Sequence, residues 1–513
     1  MLFNSYTYLL LFLPLTLIGF LWIRRTKLRL AMGWLVLASL VYYGWWNPDP
    51  EKPWSPVYLG LIVTSCFANF FFGRYLAGHH GPRGKRMLAL GLVANLALLG
   101  YYKYIGLFDR TLEAITGNGL DIPHVILPLG ISFFTFQQVA YLVDAYRGET
   151  KEYHLVDYFL FVTFFPQLIA GPIVHHKEVM PQMQRRRSST RRSVDLSVGL
   201  SILIIGLFKK VVIADNLAPI ASRLFELAAN GDRDLTLAEA WVAAISYALQ
   251  IYFDFSGYSD MAIGSARLFG IRLPINFHSP YKAVSVIDFW RRWHITLSRF
   301  LRDYLYIPLG GNRLGVPRRY FNLLVTMLLG GLWHGAGWTY VLWGGLHGLF
   351  LCINHGWVAL RKSAELRRMP PLLAQALTFL AVVVAWVPFR AGNFEISMNG
   401  STSAALEATK SILSSMAGLN GITGWPDRSA YEVKDSHAIR AVAVLLVVWL
   451  LPNTQQLMRR YQPAIGLEGF RNFRRREFFE WRPTWRWGLF LFILLLGVIY
   501  QFDKLSEFIY FQF

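Results

Sequence analysis

His334 stands in Leu332-Trp333-His334-Gly335-Ala336-Gly337-Trp338, with long apolar runs on both sides. A polar ring in such a setting either makes hydrogen bonds that offset its burial or takes part in a reaction. A neutral imidazole in a dry cavity can accept a proton from a hydroxyl as that hydroxyl attacks an acyl carbonyl; cross-bridging two helices is the structural alternative. The flanking Gly330, Gly331, Gly335 and Gly337 suit both readings, because glycines let helices approach closely and also let a helix break and expose polar backbone to a cavity. His347, near Trp343, Gly344, Gly345 and Gly348, reads as a packing residue. No Ser or Cys accompanies His334 in a nucleophile elbow, and Cys66 and Cys352 both lie in apolar runs. Direct attack by an acceptor hydroxyl therefore needs fewer residues than a covalent relay.

Upstream, residues 288–309 carry Arg291, Arg292, Arg299 and Arg302 on one side and Leu297, Phe300, Leu301, Leu305 and Ile307 on the other. That pattern predicts one helix lying at the membrane interface. Asp288, Arg291, Arg292, His294 and Ser298 are spaced to share its faces. The arginines either anchor the helix or form a docking ledge for a phosphate-bearing donor, since guanidinium groups clamp phosphate well. Asp254 and Asp260, in YFDFSGYSDMAIG, read as buried structural carboxylates paired with Arg267, Arg272, Arg291 or Arg292, with general-acid work as the alternative. Six residues apart and without histidines at compact ligand spacing, they make a poor metal pair, and no metal is expected. The Tyr306–Arg313 turn, YIPLGGNR, lacks the order of a phosphate loop.

The elements that must position these residues are membrane helices. The chain is 54% hydrophobic, with 38 Phe, 25 Tyr and 18 Trp, which is too apolar for a soluble protein of 513 residues. Expected spans or embedded segments are 6–23, 31–46, 57–73, 87–102, 125–146, 156–173, 196–213, 240–262, 320–333, 338–355, 372–389, 437–452 and 485–502. Several fall short of the ~20 residues that cross a bilayer unaided, so about eleven to thirteen embedded helices are expected, some of them tilted, interfacial or re-entrant. The net charge of +20 sits in clusters between apolar runs, at 83–86, 185–192, 361–368 and 471–476. This is the positive-inside pattern, which places those clusters in the cytoplasm, leaves anionic lipid as a lesser role for them, and argues against nucleic-acid binding. The first apolar run is followed by Arg24, Arg25, Lys27 and Arg29 and lacks a cleavage site, so it reads as a retained span. The 391–436 stretch reads as an extracytoplasmic loop, and residues 1–513 as a single membrane domain with its catalytic core at 252–347.

DFWRRWHITLSRFLRDYLYIPLGGNR followed by MLLGGLWHGAGW closely resembles the membrane-bound O-acyltransferase family, in its bacterial branch of alginate O-acetyltransferase membrane proteins and, more distantly, of teichoic acid D-alanyl transfer proteins. The resemblance runs over almost the whole chain. It implies an all-α polytopic fold in which a ring of tilted spans surrounds a thin centre, and acyl transfer across the bacterial cytoplasmic membrane. It implies that His334 is the catalytic histidine and that His294 occupies the second family position. It further implies a cytoplasmic thioester donor, with acetyl-CoA expected and an acyl carrier protein as the alternative, and no permanently bound cofactor. The expected partners are an extracytoplasmic SGNH-like acetyltransferase and polysaccharide biosynthesis and export machinery. The expected activity is O-acetylation of an exopolysaccharide with His334 as general base. D-alanyl transfer to an envelope polymer, or a non-catalytic export subunit, stands as the alternative.

Overall fold

The computed structural model describes residues 2–47, 56–120, 122, 125–150, 154–183, 189–231, 234–397, 402–421, 435–470, 480–502 and 509. Among these the protein is all-α, and its one strand-like feature is an isolated bridge between Pro274 and Ile465. Five helical stretches among the described residues are long and apolar enough to cross a bilayer: Val57–Gly78, Pro82–Thr116, Arg191–Asn230, Pro371–Asn393 and Ser436–Tyr461. Thr7–Ile23, Leu28–Gly44 and Trp485–Gln501 are shorter apolar helices. Leu10, Trp22, Leu372 and Tyr500 are exposed, as lipid-facing side chains of a multi-pass membrane protein must be. The basic runs at 185–188 and 471–476 lie outside the described residues.

The chain divides into two compact units. The first comprises 1–207, 258–275 and 454–496; the second comprises 208–257, 276–453 and 497–513. In the first, Asn69 bonds the side chains of both Asn95 and Gln138, linking three helices, and Tyr8 Oη lies 2.8 Å from Ser265 Oγ. Gly199 and Gly264 permit another close crossing, since a Cβ on either would lie 2.7–2.8 Å from the other's carbonyl oxygen. In the second, the Val316–His334 and Trp338–Ser363 helices form an antiparallel pair whose backbones nearly touch. A Cβ on Gly331 would sit 2.2 Å from the Tyr340 carbonyl oxygen, and one on Gly344 equally close to that of Met327. Val286, Met327 and Leu351 fill a hydrophobic cluster beneath, with Ile287, Trp290, Leu323 and Phe350 packed against it.

Three expected elements differ from the sequence reading. The span expected at 156–173 is two pieces, Leu155–Thr163 and Phe165–Leu168. Pro166 has no amide hydrogen to continue a helix, and Phe164 turns to φ −52°, ψ 109°. The amide of Phe165 donates instead to Ser39 Oγ at 3.1 Å, which satisfies the broken backbone inside the protein. The expected 391–436 loop contains the end of the Pro371–Ser397 helix and a further helix, Thr402–Met416. The latter buries Ala405, Ala408, Thr409, Ile412, Ser415 and Met416, a mostly small-residue face that a hydropathy average does not register. The expected single helix over 288–309 is Val286–Trp290, a break, then Ile295–Leu301 continuing as a wider π-helical turn at Arg302–Tyr306.

Candidate functional site

The break at 291–294 positions His294. Ser285 caps the short helix before it, accepting from the Asp288 amide at 3.1 Å, and His294 then adopts φ 41°, a left-handed conformation uncommon outside glycine. Two backbone bonds hold the strained residue: the His278 amide donates to the Arg292 carbonyl, and the Ile295 amide to the Asn276 carbonyl, each at 2.9 Å. Strain of this kind persists only where the surroundings over-determine it, and it concentrates at functional sites.

Asn276 also sets the tautomer of His294. Its Oδ1 accepts from the Thr296 hydroxyl at 2.9 Å and from the Thr296 amide at 3.4 Å, which identifies that atom as the oxygen. His294 Nδ1, 3.0 Å from the same oxygen, must therefore carry the ring proton. The other nitrogen, Nε2, is then a lone-pair acceptor, buried and without a hydrogen-bond partner among the described residues. Burial, with no charged partner to oppose it, pushes the His294 pKa down to about 3. The ring is neutral at physiological pH.

His334 ends the Val316–His334 helix, where Gly335 turns to extended backbone. It is 3% exposed, its ring centroid 6.3 Å from that of His294. Aromatic rings enclose it: Trp343 at 4.9 Å, Trp333 at 5.0 Å and Phe389 at 5.3 Å. The sequence that brings Trp343 there is the glycine crossing described above. Gly335 and Gly392 make room for the Tyr340 ring, whose hydroxyl donates to Asn393 Oδ1 at 3.0 Å. His347 lies 4.8 Å from Trp343 and stacks on Phe289 at 5.9 Å with the planes 8° apart. Two buried histidines among aromatic rings can pass a proton to and from a bound hydroxyl or thiolate while water is kept away.

The other sequence-selected residues are placed as follows. Arg292 forms an ion pair with Asp288 at 2.9 Å, and Arg302 pairs with Asp303 at 2.7 Å on the surface. Arg291 is exposed and Arg299 half-buried. Asp254 accepts from Lys210 at 2.8 Å and from the Ile509 amide at 3.0 Å, rather than from the arginines expected to neutralise it. Asp260, in the first unit, accepts from Thr454 at 2.6 Å and Gln455 at 2.9 Å, while Arg267 pairs with Asp195 at 2.9 Å. Asn276, which fixes the His294 tautomer, is the residue that the sequence did not single out. It belongs to the noted NFHSPY run, but a lone Asn in a loop carries no signal until its oxygen meets a histidine.

The sequence signature of the membrane-bound O-acyltransferase family matches residues 86–389. The chain is 43% identical to the peptidoglycan O-acetyltransferase of Helicobacter pylori over 82% of its own length and 81% of that protein. It is 43% identical to the probable alginate O-acetylase AlgI of Azotobacter vinelandii, over 77% of its length and 76% of the relative. The teichoic acid D-alanyltransferase of Streptococcus thermophilus is 30% identical, over 66% of this chain and 94% of that protein.

Proposed function

Starting from the fact that this chain belongs to the membrane-bound O-acyltransferase family and is an O-acyltransferase of the bacterial inner membrane, we propose that it takes an acetyl group from acetyl-CoA on the cytoplasmic side and passes it across the membrane for O-acetylation of an exopolysaccharide. His334 is the general base. It removes the proton of the acceptor hydroxyl as that oxygen attacks the thioester carbonyl, and the imidazolium returns the proton to the departing thiolate when the C–S bond breaks. His294, with its tautomer held by Asn276, orients the substrate by accepting at Nε2. Arg291, Arg292, Arg299 and Arg302 steer the phosphates of the donor. The immediate acceptor is a hydroxyl of an extracytoplasmic SGNH-like acetyltransferase, which works with polysaccharide biosynthesis and export machinery.

The observation that carries this reading is the pair of buried histidines, 6.3 Å apart in an aromatic enclosure, on a chain similar to O-acetyltransferases over most of its length. Replacing His334 by Ala is expected to lower polymer acetylation by about 10²-fold or more at unchanged protein abundance. Normal acetylation would refute the role, and would also fit a non-catalytic export subunit. His347→Phe, which keeps the stack on Phe289, is the control and is expected to retain activity. Similarity to the Helicobacter pylori relative favours a second reading, with peptidoglycan as the acceptor. Ester content of the secreted polymer and of the cell wall in a deletion strain separates the two. The identity of the acid released by mild base separates acetyl from D-alanyl transfer.

A further inference from the structure

Within the first unit, and apart from the histidine pair at 294 and 334, three side chains converge at the junction of two helices. Asp144 lies near the end of the Ile131–Tyr146 helix, and His176 opens the His176–Met183 helix with His175 just before it. Asp144 Oδ2 is 2.6 Å from His175 Nε2 and 3.1 Å from His176 Nε2, and the three atoms all lie within 4.8 Å of one another. The side chains of Asp144 and His176 are 2% and 1% exposed, whereas that of His175 is 22% exposed and gives access from solvent.

We propose that Asp144, His175 and His176 form a binding site for one divalent transition metal ion of the zinc class. Two imidazoles and one carboxylate are a donor set for such ions, whereas calcium and magnesium call for oxygen alone. Bonds of about 2.0–2.1 Å in tetrahedral geometry place neighbouring ligand atoms about 3.3 Å apart. His176 already stands near that separation from the carboxylate, and His175, the exposed member, has to retreat by a fraction of an ångström. The His175 amide donates to Glu178 Oε2 at 3.1 Å, Tyr141 and Phe161 turn edges towards the His176 ring at 6.1 and 6.4 Å, and Arg147 approaches the other carboxylate oxygen at 3.9 Å. His175 Nδ1 accepts from the Lys177 amide at 3.3 Å, the longest hydrogen bond of the cluster. Metal on Nε2 moves the ring proton to Nδ1 and breaks that bond, a small cost against three coordinate bonds. The ion ties the end of one helix to the start of another. This departs from the sequence expectation of no metal, because two adjacent histidines without a third ligand nearby in sequence carry no recognisable spacing.

The test uses full-length protein purified in detergent on a tag free of histidine, stripped with chelator, incubated with zinc chloride and gel-filtered. One zinc per chain is expected by elemental analysis, and cobalt in its place is expected to give visible absorption bands of a four-coordinate ion. His175→Asn, at the most exposed position and least disruptive to folding, is expected to weaken zinc affinity at least tenfold while the protein remains monodisperse. His334→Ala is expected to keep the full zinc content. No retained zinc in the wild-type protein, or equal affinity in His175→Asn, overturns the proposal.

Discussion

At the scale of single residues the site depends on one amide oxygen. Asn276 accepts from Thr296 and thereby obliges His294 to hold its proton on Nδ1 and turn a lone pair towards the interior. Folding lowers the His294 pKa from its ordinary 6.5 to about 3, so protons bind the unfolded chain more readily than the folded one. The corresponding stability is complete above pH 6.5 and is lost as the pH falls towards 3, by about 1.4 kcal/mol per pH unit within that window. Thermal unfolding in detergent is thus expected to shift to lower temperature between pH 6.5 and 5, and His294→Asn to flatten part of that slope. An unchanged slope would show that the ring is already solvated. His334 was legible in the sequence as a polar residue in apolar surroundings, and His294 by its place in the arginine-rich motif and the family resemblance. Their 6.3 Å separation was not, because it is closed by a left-handed residue and a loop far from His334 in the chain.

At the scale of elements, glycine placement decides whether the histidine pair can be assembled. The Gly331/Gly344 crossing leaves no room for a methyl group, since both hypothetical Cβ atoms fall 2.2 Å from backbone oxygens. Gly345, one residue on, meets only Leu328 Cδ2 at 3.5 Å. Gly344→Ala is expected to cut the yield of monodisperse protein severely, and Gly345→Ala to leave it near wild type, as read by size-exclusion chromatography. Equal yields would mean that the helices part freely. Helix periodicity located most embedded segments, because apolar length is what a bilayer demands. It mistook the 288–309 stretch for one helix, since arginine and aromatic spacing suits a helix even where Asn276, Thr296 and the loop backbone outcompete its hydrogen bonds.

At the scale of the molecule, long-range ion pairing holds segments together that a hydropathy trace treats as independent. In the second unit Lys210 bridges Asp215 and Asp254 at 2.7 and 2.8 Å, and Asp254 also accepts from the amide of Ile509, joining three regions of the chain. Lys210→Met leaves two buried carboxylates without their cation and is expected to cost about 3–5 kcal/mol. Lys210→Met combined with Asp254→Asn is expected to recover part of that loss in thermal unfolding. A double variant no better than the single would argue that Lys210 matters for packing alone.

The sequence by itself determined the membrane class and the family, because lipid solvation and local motifs act through composition and short spacing. Tertiary structure alone decided which charges pair, how Asn276 fixes a tautomer, and that Asp144 meets His175 and His176. The Lys210–Asp254 and Asp144–His176 contacts join residues far apart in the chain, where the choice of partner is made by packing geometry rather than by any periodicity.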